Sequence, residues 1–261
     1  MLMAELANSN FDSFLEDNVV LKGYIPSDLY DREEMSRIEK KYQVENPTIK
    51  TIPEENWNQL WETQYEPVVI ANRCRIIASF HRSSQNYEYE IVINPQMSFG
   101  TGHHETTSLM ISKQLELDLN GTNVLDVGCG TGILSILAEQ QGAAQVVALD
   151  VDPIAVDNTK ENVLANNCKS IKVFEDSLST INLDPDQTFD LVLANINRNV
   201  LIKELDLYAK RLSTKGSLII SGFYTQDMDK IVDKGRQVGL SLIEQYELNE
   251  WVVVIFGKKL A

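Results

Sequence analysis

Cysteine is scarce in this chain: Cys74, Cys129 and Cys168 stand far apart, with no C-x-x-C pair. An odd, scattered set builds no disulfide framework and offers no zinc-ligand spacing, so no metal is expected and a reducing cytoplasm fits. No run of eighteen apolar residues is present, so no membrane span is expected. The opening Met1-Leu-Met-Ala-Glu-Leu-Ala7 lacks the basic flank and long apolar stretch of a secretory signal; its apolar residues read as one face of a helix. Basic charge is also in short supply. Against 38 Asp and Glu stand 23 Lys and Arg, a formal net charge of -15. Such a surface repels phosphates, so direct nucleic acid binding is not expected, and it would attract a basic partner. The plainer reading is that the acidity keeps the protein in solution. Internal repeats and low-complexity runs are missing too.

What is present changes character near residue 95. Before it, segments are short and mixed. Glu5 to Leu15 reads as a helix, Val19 to Ile25 as a strand, and Asp28 to Tyr42 as a charged helix with Leu29, Met35 and Ile38 as its sparse apolar set. Thr51-Ile-Pro-Glu54 has capping-box spacing and opens a helix with Trp57, Leu60, Trp61 and Tyr65 on one face. Two tryptophans this close read as packing, or as a contact surface at a domain junction. Val68 to Phe80 and Tyr87 to Ile93 read as strands. From Gly121 onward, strands at 124–127, 145–151, 171–174, 189–194 and 217–221 alternate with helices, which implies a mainly parallel sheet covered on both faces. The ending differs: strands at 240–246 and 251–256 are separated only by Glu247 to Glu250 and should form an antiparallel hairpin. The expected organisation is a small N-terminal α+β domain over 1–53, a linker helix and strands over 54–94, and an α/β domain over 95–261.

The strongest chemical pattern is Leu125-Asp-Val-Gly128-Cys-Gly130-Thr-Gly132-Ile-Leu, a buried strand running through a glycine turn into a helix. Glycine permits positive φ and close approach of a ligand to the backbone. Asp150 closes the next strand, 22 residues after Gly128, where a carboxylate can accept from both hydroxyls of a ribose. A dinucleotide-binding oxidoreductase shares this logic, but its third glycine would stand where Ile133 is found. Asp126 precedes the turn; its charge would oppose a pyrophosphate and favour the ammonium and sulfonium of S-adenosylmethionine. The balance points to a methyltransferase.

Two further stretches carry polar chemistry. Asn94-Pro-Gln-Met-Ser-Phe99-Gly-Thr-Gly-His-His-Glu-Thr-Thr107 is a glycine- and threonine-rich loop before a helix, suited to covering a ligand. Adjacent His103 and His104 rarely chelate one ion, and no partner cluster lies near them. For His104, a structural loop contact is the simpler reading beside a base or hydrogen-bonding role. Leu193-Ala-Asn195-Ile-Asn197 ends the fourth strand of the sheet. An amide there can accept from an amine and donate as well, whereas a helix cap suits Asn197 better.

Phe99-Gly-Thr-Gly-His-His104-Glu-Thr-Thr107 is similar to the F-G-T-G-x-H-x-T-T signature of the PrmA family, whose members methylate the eleventh protein of the large ribosomal subunit. The likeness extends to Asp126-Val-Gly-Cys-Gly-Thr-Gly132, Asp150-Val-Asp-Pro153 and Ala194-Asn-Ile196, and upstream to Glu54–Tyr65, which resembles the family's Trp-containing linker helix. The chain departs at Glu105, where members usually have proline, at His103, and at Asn197-Arg-Asn199. It also opens at the helix that in the family usually follows a first strand. The resemblance implies a class I S-adenosylmethionine-dependent methyltransferase fold, Rossmann-like, behind a small substrate-recognition domain. It implies Thr107, Gly128, Gly130, Asp150 and Asn195 as cofactor-binding positions, with Asp176 a weaker candidate for the adenine amino group. The implied reaction is methylation of lysine ε-amines and of the α-amino group of that ribosomal protein, with Asn195 orienting the amine. The rivals are a related protein-lysine methyltransferase with another substrate, a non-catalytic nucleotide-binding module, and a Rossmann oxidoreductase.

Overall fold

A computed structural model of the chain describes residues 2–11, 13–17, 20–44, 47–51, 66–83, 86–94 and 98–258. The chain divides into two compact units, Met1–Trp61 and Glu62–Ala261. The linker helix expected around Trp57, Trp61 and Tyr65 lies outside the described residues.

In the first unit α1 (Leu2–Asn8) leads into an antiparallel pair, β1 (Ser13–Asp17) and β2 (Val20–Tyr24), followed by α2 (Arg32–Tyr42). The helix expected over Glu5–Leu15 therefore stops early. Asn10 turns left-handed at φ 65°, which an α-helix cannot absorb, and the chain continues as a strand. Helix α2 begins at Arg32 because the Asp31 side chain accepts from the backbone N–H of Glu33 (2.8 Å) and Glu34 (3.2 Å). The Glu5 carboxylate accepts from Lys41 Nζ at 2.7 Å and from the Tyr42 hydroxyl at 2.5 Å, joining α1 to α2.

The second unit opens with a three-stranded sheet, β3 (Val68–Ile70), β4 (Cys74–Ile77) and β5 (Tyr89–Val92). The strand expected over Val68–Phe80 is split, since Ala71 and Asn72 take φ of 51° and 53° and reverse the chain. Hydrogen bonds tie these strands to the α/β elements. Asn166 clasps the backbone of Val92 in both directions, at 2.8 Å and 2.7 Å, and Arg73 Nη1 donates to the Leu115 carbonyl at 2.6 Å.

The remaining elements are α3 (Glu105–Gln114), β6 (Asn123–Val127), α4 (Ile133–Gln140), β7 (Gln145–Asp150), α5 (Pro153–Ala165), β8 (Ile171–Glu175), β9 (Phe189–Asn195), α6 (Arg198–Arg211), β10 (Leu212–Tyr224), α7 (Met228–Gln237), β11 (Leu240–Leu248) and β12 (Trp251–Lys258). Seven strands form one sheet in the order β11-β12-β10-β9-β6-β7-β8. Strand β12 alone runs against its neighbours, slotted between β10 and β11, so the terminal hairpin is antiparallel as expected. This is the Rossmann-like class I methyltransferase fold. Apolar strands are buried on both faces: Met110, Ile136 and Leu137 pack on one, Tyr208, Phe223 and Phe256 on the other. Each such side chain contributes about 1.5–3 kcal/mol by leaving water. From β6 the chain winds outward through β7 to β8, then returns to place β9 on the other side of β6. That reversal opens a crevice at the carboxyl ends of β6 and β9, where such sheets bind ligands. No described helix is long and apolar enough to cross a membrane.

Candidate active site

A cavity of about 600 Å³ occupies the crevice. One half is made by the turns after β6, β7 and β8. Gly128, Gly130 and Gly132 adopt φ of 70°, 57° and 78°. A Cβ on Gly128 would come within 2.3 Å of Ile196 Cγ2, and one on Gly130 within 2.3 Å of the Phe99 carbonyl oxygen. The bare backbone is thus required twice over, by conformation and by space. Asp150 ends β7 and fastens the turn: its Oδ2 accepts from Gly130 N–H at 2.9 Å and its Oδ1 from Asp152 N–H at 3.0 Å. Each oxygen retains a lone pair for a ligand. Asp176 also reaches the cavity; its Oδ1 accepts from Ser177 N–H at 2.8 Å and from the Thr180 hydroxyl.

The other half is made by β9, β10, β12 and the loop before α3. The loop is stapled to the glycine turn by Thr131 N–H donating to the Phe99 carbonyl at 3.0 Å. Asn195, at the end of β9, donates through Nδ2 to Thr107 Oγ1 at 3.4 Å. Its Oδ1 is buried with no hydrogen-bond partner among the described residues. Asn195 lines the cavity, and a buried acceptor left unpaired costs about 1–3 kcal/mol, so the residue marks a place for a donor. Ser98, also in the lining, has its Oγ buried with no partner among the described residues.

The structure brings Gly128, Gly130, Asp150, Asp176 and Asn195 together on one cavity. Thr107 is buried behind Asn195 and bonds to it, while Thr106 reaches the lining. Asn197 caps α6, its side chain accepting from Val200 N–H at 3.2 Å, in keeping with the cap reading. His104 caps α3: Nδ1 accepts from Thr106 N–H at 3.2 Å. No cluster of metal-ligating side chains occurs among the described residues.

Asp126 is not among the described residues lining the cavity, contrary to the expectation that its charge favours the ammonium and sulfonium of the cofactor. It is 1% exposed, and its Oδ2 accepts from Ser135 Oγ at 2.7 Å. Alternation along β6 turns it toward α4. Burial pushes its carboxyl up to about 7, the Ser135 hydrogen bond pulls it down, and the Asp150 charge adds to the rise. The residues that sequence reasoning missed are rings. Trp251 lines the cavity, and Tyr224 packs against it, tilted by 33° with centroids 4.0 Å apart. The antiparallel register that pairs Tyr224 with Trp251 brings them there, and no linear motif announces it.

The sequence model of the family described as ribosomal protein L11 methyltransferase (PrmA) matches residues 4–259. A ribosomal protein L11 methyltransferase of Phocaeicola vulgatus is 42% identical over 255 residues, 95% of this chain and 90% of that protein. One from Porphyromonas gingivalis is 39% identical over 98% of this chain and 89% of its own length. The crystal structure of a ribosomal protein L11 methylase from Lactobacillus delbrueckii subsp. bulgaricus superposes with a TM-score of 0.68 at 25% identity, over 75% of this chain and 100% of that one.

Proposed function

This chain belongs to the ribosomal protein L11 methyltransferase (PrmA) family, and on that premise we propose that it methylates lysine ε-amines and the α-amino group of large-subunit ribosomal protein L11. S-adenosyl-L-methionine is the cofactor, and the residues present fit it. Gly128 and Gly130 leave backbone open to it, Asp150 offers two carboxylate oxygens for a ribose, and Asn195 Oδ1 offers an unfilled acceptor. When bound, it supplies an electrophilic methyl group: the amine lone pair forms the C–N bond, the C–S bond breaks, and S-adenosylhomocysteine leaves.

The chain's own residues must hold the acceptor nitrogen in line and keep water out. At pH 7 only about 0.04% of a free lysine of pKa about 10.4 is neutral, so a desolvated site favours the reactive form. Asn195 Oδ1 accepts from the amine N–H and aims the lone pair away from itself. That unpaired oxygen at the switch point of the sheet is the observation that carries the reading. The Met1–Trp61 unit selects the protein substrate, a reading supported by the described lining residues of the cavity, which all lie in the second unit.

The test is mass spectrometry of L11 after incubation with the full chain and S-adenosylmethionine. Whole methyl increments on lysines and on the N-terminal residue are expected. No increment on L11, from a chain that binds S-adenosylhomocysteine, would refute the substrate assignment.

A further inference from the structure

The half of the cavity around Asn195 carries rings, and three of the four described lining carboxylates stand on the opposite half. Phe99, His104 and Trp251 line it, with centroids 5.1 Å apart from Phe99 to His104 and 4.8 Å from His104 to Trp251. Tyr224 backs Trp251 at 4.0 Å. The rings are held in place before any ligand arrives. His104 is fixed by its capping bond, and the turn before Trp251 is anchored by Asn249 Nδ2 donating to Glu105 Oε1 at 3.2 Å and by Thr225 N–H donating to the Glu250 carbonyl at 2.9 Å. The carboxylates that line the cavity, Asp150, Asp152, Asp176 and Glu204, stand on the β7 and β8 turns and on α6. No lysine or arginine is among the described lining residues.

Resting on the reading of this site as an amine methyltransferase, we propose that Phe99, His104 and Trp251, backed by Tyr224, form a wall that binds the acceptor nitrogen in every methylation state, holding the alkylammonium that each transfer leaves until its proton passes to water and restores the lone pair. Ring faces attract a cation by about 0.5–2 kcal/mol within roughly 6 Å of the centroid. They need no N–H on it, so they hold a trimethylammonium as well as a primary one. A carboxylate in the same place would favour the N–H-bearing forms and keep the amine protonated, and with it the lone pair occupied. Asn195 Oδ1 serves the forms that still have a hydrogen to donate. The wall and the amide together let one amine remain in place through successive methylations.

The experiment uses the full chain saturated with S-adenosylhomocysteine, titrated in the NMR spectrometer with choline and with its uncharged carbon isostere, 3,3-dimethylbutan-1-ol. Choline should bind about three- to thirtyfold tighter, the span that ring-face attraction allows. Trp251→Leu should abolish that preference and Trp251→Phe retain part of it, with S-adenosylhomocysteine affinity reporting that each variant is folded. Equal affinities for the two probes in the unaltered protein would overturn the proposal, with no variant needed. So would a preference that survives Trp251→Leu. Neither probe involves a protein substrate or turnover. A chain that prefers choline yet leaves L11 unmodified would therefore keep the wall and lose the substrate assignment.

Discussion

The two halves of the cavity are built by different means. The half after β6, β7 and β8 is backbone and carboxylate: glycines at positive φ, and Asp150 holding Gly130 N–H at 2.9 Å. The half around β9, β10 and β12 is side chains from distant parts of the chain, with Asn195, Trp251 and Phe99 meeting only when the sheet is complete. A backbone site tolerates almost no substitution because a Cβ has nowhere to go. A side-chain site tolerates folding changes better and shows its damage in the chemistry.

The largest effect should come from the backbone half. In Gly130→Ala, the new Cβ meets the Phe99 carbonyl at 2.3 Å and φ is 57°. Left-handed strain alone costs about 1–3 kcal/mol, and the clash parts the covering loop from the glycine turn. Urea unfolding should show at least that loss, and calorimetry little remaining affinity for S-adenosylhomocysteine. Gly121→Ala sharpens the comparison: φ is 73°, but nothing lies within 4 Å of the Cβ, so it should lose stability by strain alone and keep its affinity. Next, Asp150→Ala removes hydrogen bonds to a charged group worth about 1.5–3 kcal/mol each, which calorimetry should register as a loss of ten- to a hundredfold or more.

Asp126 breaks the pattern of carboxylates that face the ligand, and its effect is on stability. Its folded pKa is raised to about 7, above the unfolded value of 3.8. A raised carboxyl contributes stability that is fully present below the unfolded value and is lost as pH rises through the folded one. Stability should therefore fall between pH 4 and 7, by up to about 1.4 kcal/mol per unit from this group. Asp126→Asn should flatten that slope, and an unchanged slope in denaturant titrations would refute the assignment. The smallest effect belongs to Asn249→Ala. It removes one exposed 3.2 Å bond at the hairpin turn and should cost below about 1.5 kcal/mol.

The backbone half was legible because its constraints are local: glycine spacing and an acid at a strand end are written in consecutive residues. The same holds for the alternating strands and helices and for the Asn197 cap. Asn195 was visible as a polar residue closing an apolar strand. Trp251 and Tyr224 were not, because an antiparallel register across distant segments brings them together. Asp126 was misjudged because a motif gives residue types but not which face of the strand each occupies. The helix expected over Glu5–Leu15 runs past Asn10, whose positive φ breaks it and which no residue pattern marks.

The division of labour between the halves is tested most directly by measuring two quantities on two variants: S-adenosylhomocysteine affinity by calorimetry, and the single-turnover rate of methyl transfer at saturating cofactor. Asp150→Ala should lose affinity and keep most of its rate once saturated. Asn195→Ala should lose about ten- to a hundredfold in rate, a few kcal/mol of transition-state stabilisation, with a much smaller loss of affinity. It should also stay within about 1.5 kcal/mol of the parent in stability, since it loses only the 3.4 Å bond from Nδ2 to Thr107 Oγ1, and Oδ1 has no partner among the described residues. Equal losses of affinity and rate in both variants would contradict the account.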